Sequence, residues 1–277
     1  MPACNAPAQA NNEGDAAGMD LGINGRKALV CASTQGLGFA CARSLADEGC
    51  EVWINGRNAA RLASAAEQIR GETRGRVHTV QADLNTEAGR EALLSACPAP
   101  DILVNNNAGT SPGAFAEWDH GAWLAALESN LIAAVLMIRG VLAGMRERRF
   151  GRIVNITSSS VKTPSATVGL STAARAGLTA ISKALARESV ADNVTINNLL
   201  PERFDTARQE FMARRLMAEH GLTREQARTQ LAGTLPAKRF GRPEEFGAAC
   251  AFLCSAHSGF ITGQNLQLDG GAYTALV

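Results

Sequence analysis

Two glycines in residues 31–38 have the spacing of a turn that could bind a diphosphate. Gly36 and Gly38 stand between an apolar run and a helical pattern. A glycine-rich turn at such a place exposes backbone N–H groups and the positive end of the following helix, and both attract an anion. We therefore expect the diphosphate of a dinucleotide to bind here. The further residues expected at this turn are Ser33, Thr34 and Leu37.

A single arginine indicates which dinucleotide the chain prefers. The second apolar run ends in residues 53–58, which include Arg57 and no acidic side chain. In dinucleotide-binding folds an acidic residue at this strand end holds the ribose hydroxyls, whereas an arginine accommodates a 2′-phosphate. The sequence therefore favours NADP(H) over NAD(H). The alternative is a solvated arginine that only opens the next helix.

These residues must be positioned by an alternating series of strands and helices. The expected strands cover residues 27–32, 51–55, 77–82, 101–105, 152–157, 194–199 and 265–269. The expected helices cover residues 37–49, 58–70, 87–96, 122–148, 170–190 and 243–255. Strands that alternate with crossover helices form a parallel sheet covered on both faces. We therefore expect an α/β protein with a Rossmann-type, doubly wound sheet of seven parallel strands in a single domain.

The composition restricts the class of protein. Of the 277 residues, 46% are hydrophobic and 19% are charged, and the formal net charge is +1. Such a balance offers no basic field to nucleic acid or to a membrane surface, and no apolar stretch is expected to reach the roughly 20 residues that cross a bilayer. The seven cysteines have neither metal-ligand spacing nor a disulfide framework. This pattern is typical of a cytoplasmic protein with reduced thiols and without a metal site.

Two segments stand outside the alternating pattern. Residues 1–22 are rich in Ala, Asn and Gly and are predicted to form a flexible tail before a domain of residues 23–277. Residues 202–238 add two short helical patterns, the second opened by a capping box at Thr223. An apolar stripe in this segment comprises Phe204, Phe211, Met212, Leu216 and Met217. The stripe indicates either a peripheral helix pair or a lid over a substrate pocket at the carboxyl edge of the sheet.

Motifs in order along the chain resemble the short-chain dehydrogenase/reductase family from about residue 27 to residue 271. They are the glycine turn, Ala82-Asp83-Leu84, Asn105-Asn106-Asn107-Ala108-Gly109, Asn130, residues 151–158 ending in Ser158, Pro201 with Thr206, and the segments 239–245, 260–264 and 269–271. The resemblance implies a nicotinamide cofactor contacted by Asp83, Leu84, Asn106, Ala108, Pro201 and Thr206. Two departures lie near it: Cys31-Ala32 replaces the family's Thr-Gly, and Glu202 replaces the glycine after Pro201.

The family's acid–base pair, a tyrosine followed four residues later by a lysine, is absent. The tyrosine lies thirteen residues after the catalytic serine in the family, and counting from Ser158 gives Ser171 and then Arg175. A serine hydroxyl is a far weaker acid than a phenol, whose pKa is about 10, so Ser171 cannot inherit the tyrosine's role. Arg175 can still anchor the cofactor, but its permanent charge prevents it from shuttling protons.

Three groups could replace the missing proton donor. Lys162 follows Ser158 by four residues, and desolvation beside Arg175 would lower its pKa and make it a usable acid; a solvated loop lysine is the alternative. The resemblance implies a water held by Asn130, which could also supply the proton. Tyr273 is the chain's one tyrosine, and it would have to reach the site from a neighbouring subunit.

These observations leave three functional hypotheses. The first is an NADP(H)-dependent oxidoreductase of the carbonyl reductase or alcohol dehydrogenase type, similar to 3-oxoacyl reductases, with a rebuilt proton relay and a small-molecule substrate. The second is a catalytically impaired regulatory or sensor module that binds NADP(H). The third is a non-redox reaction on the same scaffold. The resemblance also implies a homodimer or homotetramer, and the small residues Ala173, Ala174, Ala176, Gly177 and Ala180 would allow close helix packing.

Overall fold

The computed structural model describes residues 19–276, in which seven strands form one parallel sheet. The strands are β1 (Lys27–Val30), β2 (Glu51–Gly56), β3 (Val77–Gln81), β4 (Ile102–Asn105), β5 (Gly151–Ile156), β6 (Val194–Pro201) and β7 (Asn265–Leu268). Their order in the sheet is β3-β2-β1-β4-β5-β6-β7, and each neighbouring pair is parallel. Strands β2 and β3 are added on one side of β1 and strands β4 to β7 on the other, so the strand order reverses between β1 and β4, as a doubly wound sheet requires. The predicted fold class is confirmed.

Helices connect the strands and cover both faces of the sheet. They are α1 (Gly36–Asp47), α2 (Ala59–Glu72), α3 (Glu87–Ala96), α4 (His120–Leu127), α5 (Ala133–Glu147), α6 (Gly169–Ser189), α7 (Ala207–His220), α8 (Arg224–Gly233) and α9 (Pro243–Cys254). A turn of π-helix at Glu128–Ile132 joins α4 to α5. The single helix expected over residues 122–148 is therefore continuous, but its hydrogen-bond register changes at the π turn.

The core consists of two apolar layers, one on each face of the sheet. Along β1, Ala28 and Val30 contribute to one layer and Leu29 to the other, because successive side chains of a strand point to opposite faces. The first layer also contains side chains of α1, α2 and α9, and the second contains side chains of α3, α5 and α6. This double cover explains why the strands are apolar throughout rather than alternating.

The amino-terminal boundary of the domain lies earlier than predicted. Residues 1–18 of the expected tail lie outside the described residues. Leu21 and Gly22, which we assigned to the tail, belong to the folded domain: Leu21 is only 8% exposed and joins the first apolar layer. Its carbonyl accepts a hydrogen bond from the N–H of Ala256 at 2.9 Å. One apolar residue among small polar ones was too weak a signal to detect.

The apolar stripe of residues 202–238 divides among three environments. Phe204 is buried in the first layer and meets Phe246 edge to face. A third, smaller cluster forms between α7 and α8, and it includes Met212, Leu216 and Met217. Phe211 remains exposed. The capping box at Thr223 forms with Gln226. Most of the stripe therefore packs a helix pair.

One helical stretch is more apolar than the sequence analysis indicated. His120–Glu147 passes a test for a membrane span by length and composition, with a mean hydropathy of 1.7. This corrects the expectation that no apolar stretch would reach the roughly 20 residues that cross a bilayer. One face of the α5 part packs on the sheet through Met137, Ile138, Val141 and Met145. Much of the opposite face remains uncovered within one chain.

Candidate active site

The glycine turn lies where two helices begin. Gly36 adopts φ +61° at the first residue of α1, a conformation that costs a side-chain-bearing residue about 1–2 kcal/mol. A methyl group on Gly36 would lie 3.8 Å from Cγ2 of Thr206, which precedes the first residue of α7. Neither Gln35 nor Thr206 caps its helix with a side-chain hydrogen bond. Two helix amino termini with uncapped N–H groups therefore converge on one anion-binding position.

Gly38 is required by the packing of the turn. A Cβ at this position would lie 2.6 Å from both the carbonyl oxygen of Ala32 and Nδ2 of Asn106. The Asn106 amide donates to that same carbonyl at 3.0 Å. Asn106 therefore fastens the end of β4 to the turn, and Gly38 leaves the space that this hydrogen bond needs.

Ser33 lies beneath the turn, which corrects its predicted place at the cofactor. The residue is fully buried. Its hydroxyl donates to the carbonyl of Val30 at 2.7 Å and accepts from the N–H of Asn55 at 3.0 Å, while its own N–H donates to the carbonyl of Asn55 at 2.9 Å. With these groups engaged in joining β1 to β2, Ser33 supports the turn instead of facing a ligand. Leu37 likewise packs against the first apolar layer.

Arg57 extends into solvent at the end of β2. Its side chain is 68% exposed, and its guanidinium lies 3.8 Å from the carboxylate of Asp83. Thr34 packs against Gly56 between the turn and this arginine. Leu84 is different from its neighbour Asp83, because it is buried in the second apolar layer. Exposed, long ion pairs contribute little, so the arginine fork is available to an incoming phosphate.

The three consecutive asparagines have separate partners. Asn105 donates to Oδ1 of Asn155 inside the sheet at 2.9 Å, and Asn107 donates to Oδ1 of Asn85 at 2.9 Å. Ala108, next in the chain, is exposed and lines a cleft of about 560 Å³. This cleft runs from Arg57 along residues 107–113 to Trp118 and Leu170. Its size is within the range of small-molecule sites.

The side chains at the expected catalytic centre form a connected group. Asn130 lies in the π-helical turn, an irregularity that is frequent at functional sites. Its Oδ1 accepts from Nε of Arg175 at 3.1 Å, and Nη1 of Arg175 donates to the carbonyl of Thr157 at the end of β5. Asn130 and Arg175, each predicted separately as a site residue, are thus in direct contact. Ser171 lies one turn earlier on α6, half-buried.

A small cavity lies beside Arg175. It measures about 20 Å³ and is lined by Asn105, Asn106, Asn107, Ser129, Asn130 and Arg175 together with apolar side chains that include Cys31 and Leu84. A cavity needs roughly 10–15 Å³ to hold one water, which then requires polar partners. The cavity therefore has the volume and the lining for a single water.

The buried environment changes the pKa of Arg175. Desolvation, with a smaller contribution from the nearby charge of Arg208, lowers the pKa of the Arg175 guanidinium to about 10. Arg175 remains protonated at neutral pH. Its positive charge is therefore fixed at the place where the family holds a lysine.

Ser158 lies two residues after the end of β5. Its Oγ accepts hydrogen bonds from the N–H of Ser160 at 3.2 Å and from the Ser160 hydroxyl at 2.9 Å, so its own proton is free to be donated to a ligand. Next to it, the hydroxyl of Ser159 contacts the Glu202 carboxylate. We did not predict a role for Glu202; its replacement of the family's glycine was the signal that could have identified it.

Lys162 contacts the carboxyl-terminal segment of the chain. Its Nζ donates to Oε1 of Gln267 at 3.2 Å and lies 5.0 Å from the centre of the Tyr273 ring. The chain's one tyrosine therefore meets Lys162 within the same subunit. Both residues belong to a contact between the loop after β5 and the carboxyl-terminal segment.

The fold, the converging helix termini and the Asn130–Arg175 contact define a dinucleotide-binding oxidoreductase of the α/β class. A family model described as enoyl-(acyl carrier protein) reductase, adh_short_C2, matches residues 31–273. The chain belongs to the short-chain dehydrogenase/reductase family, whose members bind a nicotinamide cofactor.

Relatives of similar length support this assignment. The chain is 33% identical to the uncharacterized oxidoreductase YvaG of Bacillus subtilis, with 91% of this chain and 98% of YvaG covered. It is 30% identical to the 3-oxoacyl-[acyl-carrier-protein] reductase FabG of Aquifex aeolicus, covering 92% and 100%. The crystal structure of L-sorbose reductase from Gluconobacter frateurii, complexed with NADPH and L-sorbose, superposes with a TM-score of 0.88 at 31% identity, covering 93% and 100%.

Proposed function

We propose that the chain is an NADP(H)-dependent carbonyl reductase or alcohol dehydrogenase, similar to 3-oxoacyl reductases, in which a water replaces the family's tyrosine. The observation that carries the proposal is the cavity of about 20 Å³ beside Asn130 and Arg175, because it has room for one water next to a fixed cation. When bound, the cofactor supplies the hydride to a carbonyl carbon, or accepts it from an alcohol.

The chain's own residues divide the remaining work. Ser158 donates a hydrogen bond to the carbonyl oxygen, and the charge of Arg175 stabilises the negative charge that develops on that oxygen. Asn130 orients Arg175 through the 3.1 Å hydrogen bond and contributes to the water site. The water donates a proton to the oxygen, and the hydroxide that is left takes a proton from bulk solvent. Ser171, one turn from Arg175, contributes a hydroxyl that can bridge the water and the substrate.

Several residues support NADP(H) as the cofactor. The exposed guanidinium of Arg57 suits a 2′-phosphate, and the uncapped amino termini of α1 and α7 suit the diphosphate. Asp83 stands beside Arg57 on the adenine side, and Pro201 with Thr206 borders the nicotinamide side. Two proteins similar to this chain use the same coenzyme. The L-sorbose reductase is complexed with NADPH, and a reductase involved in bacilysin biosynthesis is NADPH-dependent.

The helix pair α7–α8 fits the role of a lid. Nη2 of Arg208 on α7 donates to the carbonyl of Thr110 at 3.3 Å, and so joins the segment after β6 to the loop after β4. A ligand at the carboxyl edge of the sheet would lie beneath this connection. Entry of that ligand would then depend on the helix pair moving away from Thr110.

A regulatory or sensor module that binds NADP(H) without turnover is the second candidate. Its specific support is the side chain of Arg175, whose Nε and Nη1 are already engaged by Asn130 and Thr157. An engaged guanidinium with a serine at position 171 leaves a weaker acid–base system than the family's pair. A positioned general acid contributes about 10²–10⁴ in rate, so activity without it would be low.

Turnover measurements separate the two candidates. The purified protein is incubated with NADPH and a panel of ketones, aldehydes and 3-oxoacyl thioesters, and loss of NADPH absorbance is followed. We expect slow consumption that Ser158→Ala reduces by about 10²-fold or more, whereas Ser165→Ala, in the exposed loop before α6, has no effect. NADPH binding without consumption of any substrate would favour the sensor.

A further inference from the structure

Two arginines from different elements flank one peptide of the cleft wall. Nη2 of Arg175 lies 3.6 Å from the position that a Cβ on Gly109 would occupy. On the next residue, the carbonyl of Thr110 accepts from Nη2 of Arg208. The peptide at Gly109–Thr110 is part of the wall of the 560 Å³ cleft. Two positive charges, one on α6 and one on α7, therefore meet beside the proposed substrate site.

Neither arginine has a carboxylate partner among residues 19–276, unlike its neighbours. On α7, Arg214 pairs with Glu210 at 3.9 Å and Arg215 pairs with Glu219 at 3.3 Å. The other arginines of the α7–α8 region pair in the same way: Arg203 with Glu202, Arg224 with Glu210, and Arg228 with Asp205 and Glu210. The segment has carboxylates available, yet none faces Arg208. On α7, the arginine without a carboxylate partner is therefore the one that contacts the cleft residue Thr110.

The charge of Arg208 destabilises the Arg175 guanidinium in the free protein, and Arg208 itself lies near the charge of Arg215. Burial lowers the pKa of both guanidiniums, and the charge of Arg208 lowers that of Arg175 further. A desolvated charge without a counter-ion costs free energy that a bound anion recovers. Arg208 uses one of its five N–H donors on Thr110, so it keeps donors for a second acceptor.

An unsatisfied hydroxyl lies at the same peptide. Oγ1 of Thr110 is buried and has no hydrogen-bond partner among the described residues. A buried hydroxyl without a hydrogen-bond partner costs about 1–3 kcal/mol. Such groups are rare in native structures. A ligand with acceptor oxygens at this wall would satisfy Thr110 and both arginines together.

We propose that Arg175 and Arg208 bind a carboxylate of the substrate beside Gly109–Thr110, so that the substrate is an oxo acid or the corresponding hydroxy acid. The inference rests on the proposed reductase function and adds the substrate class to it. A carboxylate offers two oxygens, one to Nη2 of Arg175 and one to the remaining donors of Arg208. A neutral ketone or an ester cannot reproduce this arrangement.

Binding to a complex that cannot turn over tests the inference. The protein is saturated with NADP⁺, which carries no hydride, and pyruvate, acetoacetate and levulinate are titrated calorimetrically against their methyl esters. These acids differ in the spacing between carbonyl and carboxylate. We expect at least one acid to bind about 10- to 100-fold more tightly than its ester, in line with roughly 1.5–3 kcal/mol for hydrogen bonds to charged groups.

Matched substitutions on α7 identify the residue responsible. Arg208→Gln should abolish the preference for the acid, and Arg208→Lys should retain part of it. Arg214→Gln removes an arginine that already has a carboxylate partner and should leave the preference unchanged. Equal binding of acids and esters by the wild-type protein overturns the inference, as does an equal loss in Arg208→Gln and Arg214→Gln.

The cofactor's diphosphate is the other anion that Arg208 could meet, and NADP⁺ affinity distinguishes it. If Arg208→Gln weakens NADP⁺ binding tenfold and leaves the acid-to-ester ratio unchanged, the arginine serves the cofactor and the inference is overturned. If the wild-type protein binds no NADP⁺ at all, the proposed function fails first. Binding of NADP⁺ without an acid preference contradicts the carboxylate site alone.

Discussion

At the scale of single residues, Arg57 is the side chain expected to decide which coenzyme binds. Its guanidinium is exposed, and its one carboxylate contact, to Asp83, is long at 3.8 Å. Arg57→Ala should weaken NADPH binding by about 10- to 100-fold, because hydrogen bonds to charged groups contribute roughly 1.5–3 kcal/mol. NADH binding should change little, since it lacks the 2′-phosphate. Calorimetric titration of both coenzymes measures the difference.

Arg61 provides a matched control for this substitution. It lies one turn further along, on the exposed side of α2, and carries the same charge at the same end of the sheet. Arg61→Ala should leave the ratio of NADPH to NADH affinity unchanged. If both variants lose the preference equally, the general positive field selects the coenzyme and Arg57 does not.

The second prediction at this scale concerns Ser171 and Arg175, which share one face of α6. Restoring the family's pair by Ser171→Tyr with Arg175→Lys should raise kcat by about 10²-fold, the lower end of what a positioned general acid contributes. Arg175→Lys alone should lower kcat, because one ammonium nitrogen cannot occupy the positions of both Nε and Nη1, which donate to Asn130 and Thr157. A folded double variant no faster than the wild type would contradict the assignment of Ser171 to the tyrosine's place.

The sequence located some site residues better than others for a physical reason. Asn130 could be assigned through its match to a family motif, and Arg175 by counting from Ser158 under the same resemblance, because both signals are local in the sequence. Ser33 could not, since the same turn presents some groups to the ligand and others to the sheet beneath. Lys162 could not either, because the direction of a loop lysine depends on the distant Gln267 and Tyr273.

At the scale of elements, the turn between β1 and α1 contains a strained residue. Ala32 has φ +44°, which a residue with a Cβ adopts at a cost of about 1–2 kcal/mol. Ala32→Gly removes this strain but loses roughly 0.5–1 kcal/mol through the greater freedom of the unfolded chain. The net expectation is a gain of up to about 1 kcal/mol, measured by denaturant unfolding.

Two further alanines calibrate that result. Ala99 also has a positive φ, +57°, in an exposed loop, and Ala99→Gly should stabilise the protein similarly. Ala63 lies on the exposed face of α2, and Ala63→Gly should destabilise by about 1 kcal/mol. Destabilisation by Ala32→Gly of the same size as by Ala63→Gly would show that the turn carries no strain.

Element boundaries show where sequence patterns lose information. The helix expected over residues 122–148 was correct in extent, but the π turn at Glu128–Ile132 was not predictable. A single wider turn shifts the helical register by one residue and leaves the hydrophobic period almost unchanged over so short a stretch. That turn carries Asn130, so the irregularity lies at the candidate site itself.

At the scale of the whole molecule, the exposed apolar side chains of α4, the π turn and α6 predict self-association. Leu124, Ile132 and Ile181 are 53%, 39% and 36% exposed on α4, the π turn and α6. Of the small residues that suggested an interface, Gly177 instead packs within the chain, since a Cβ there would lie 3.3 Å from Leu131. Large exposed apolar side chains on adjacent helices are typical of an interaction surface.

Light scattering of the full chain tests whether a second copy covers this surface. We expect the mass of a dimer or a tetramer, because the same helices can pair about a two-fold axis and bury each other's apolar side chains. Ile181→Arg places two like charges near that axis and should lower the mass. Ala63→Arg adds the same charge on α2, which packs on the opposite layer, and should leave the mass unchanged. A wild-type mass of one chain would contradict the expected assembly, and the exposed side chains would then need another partner.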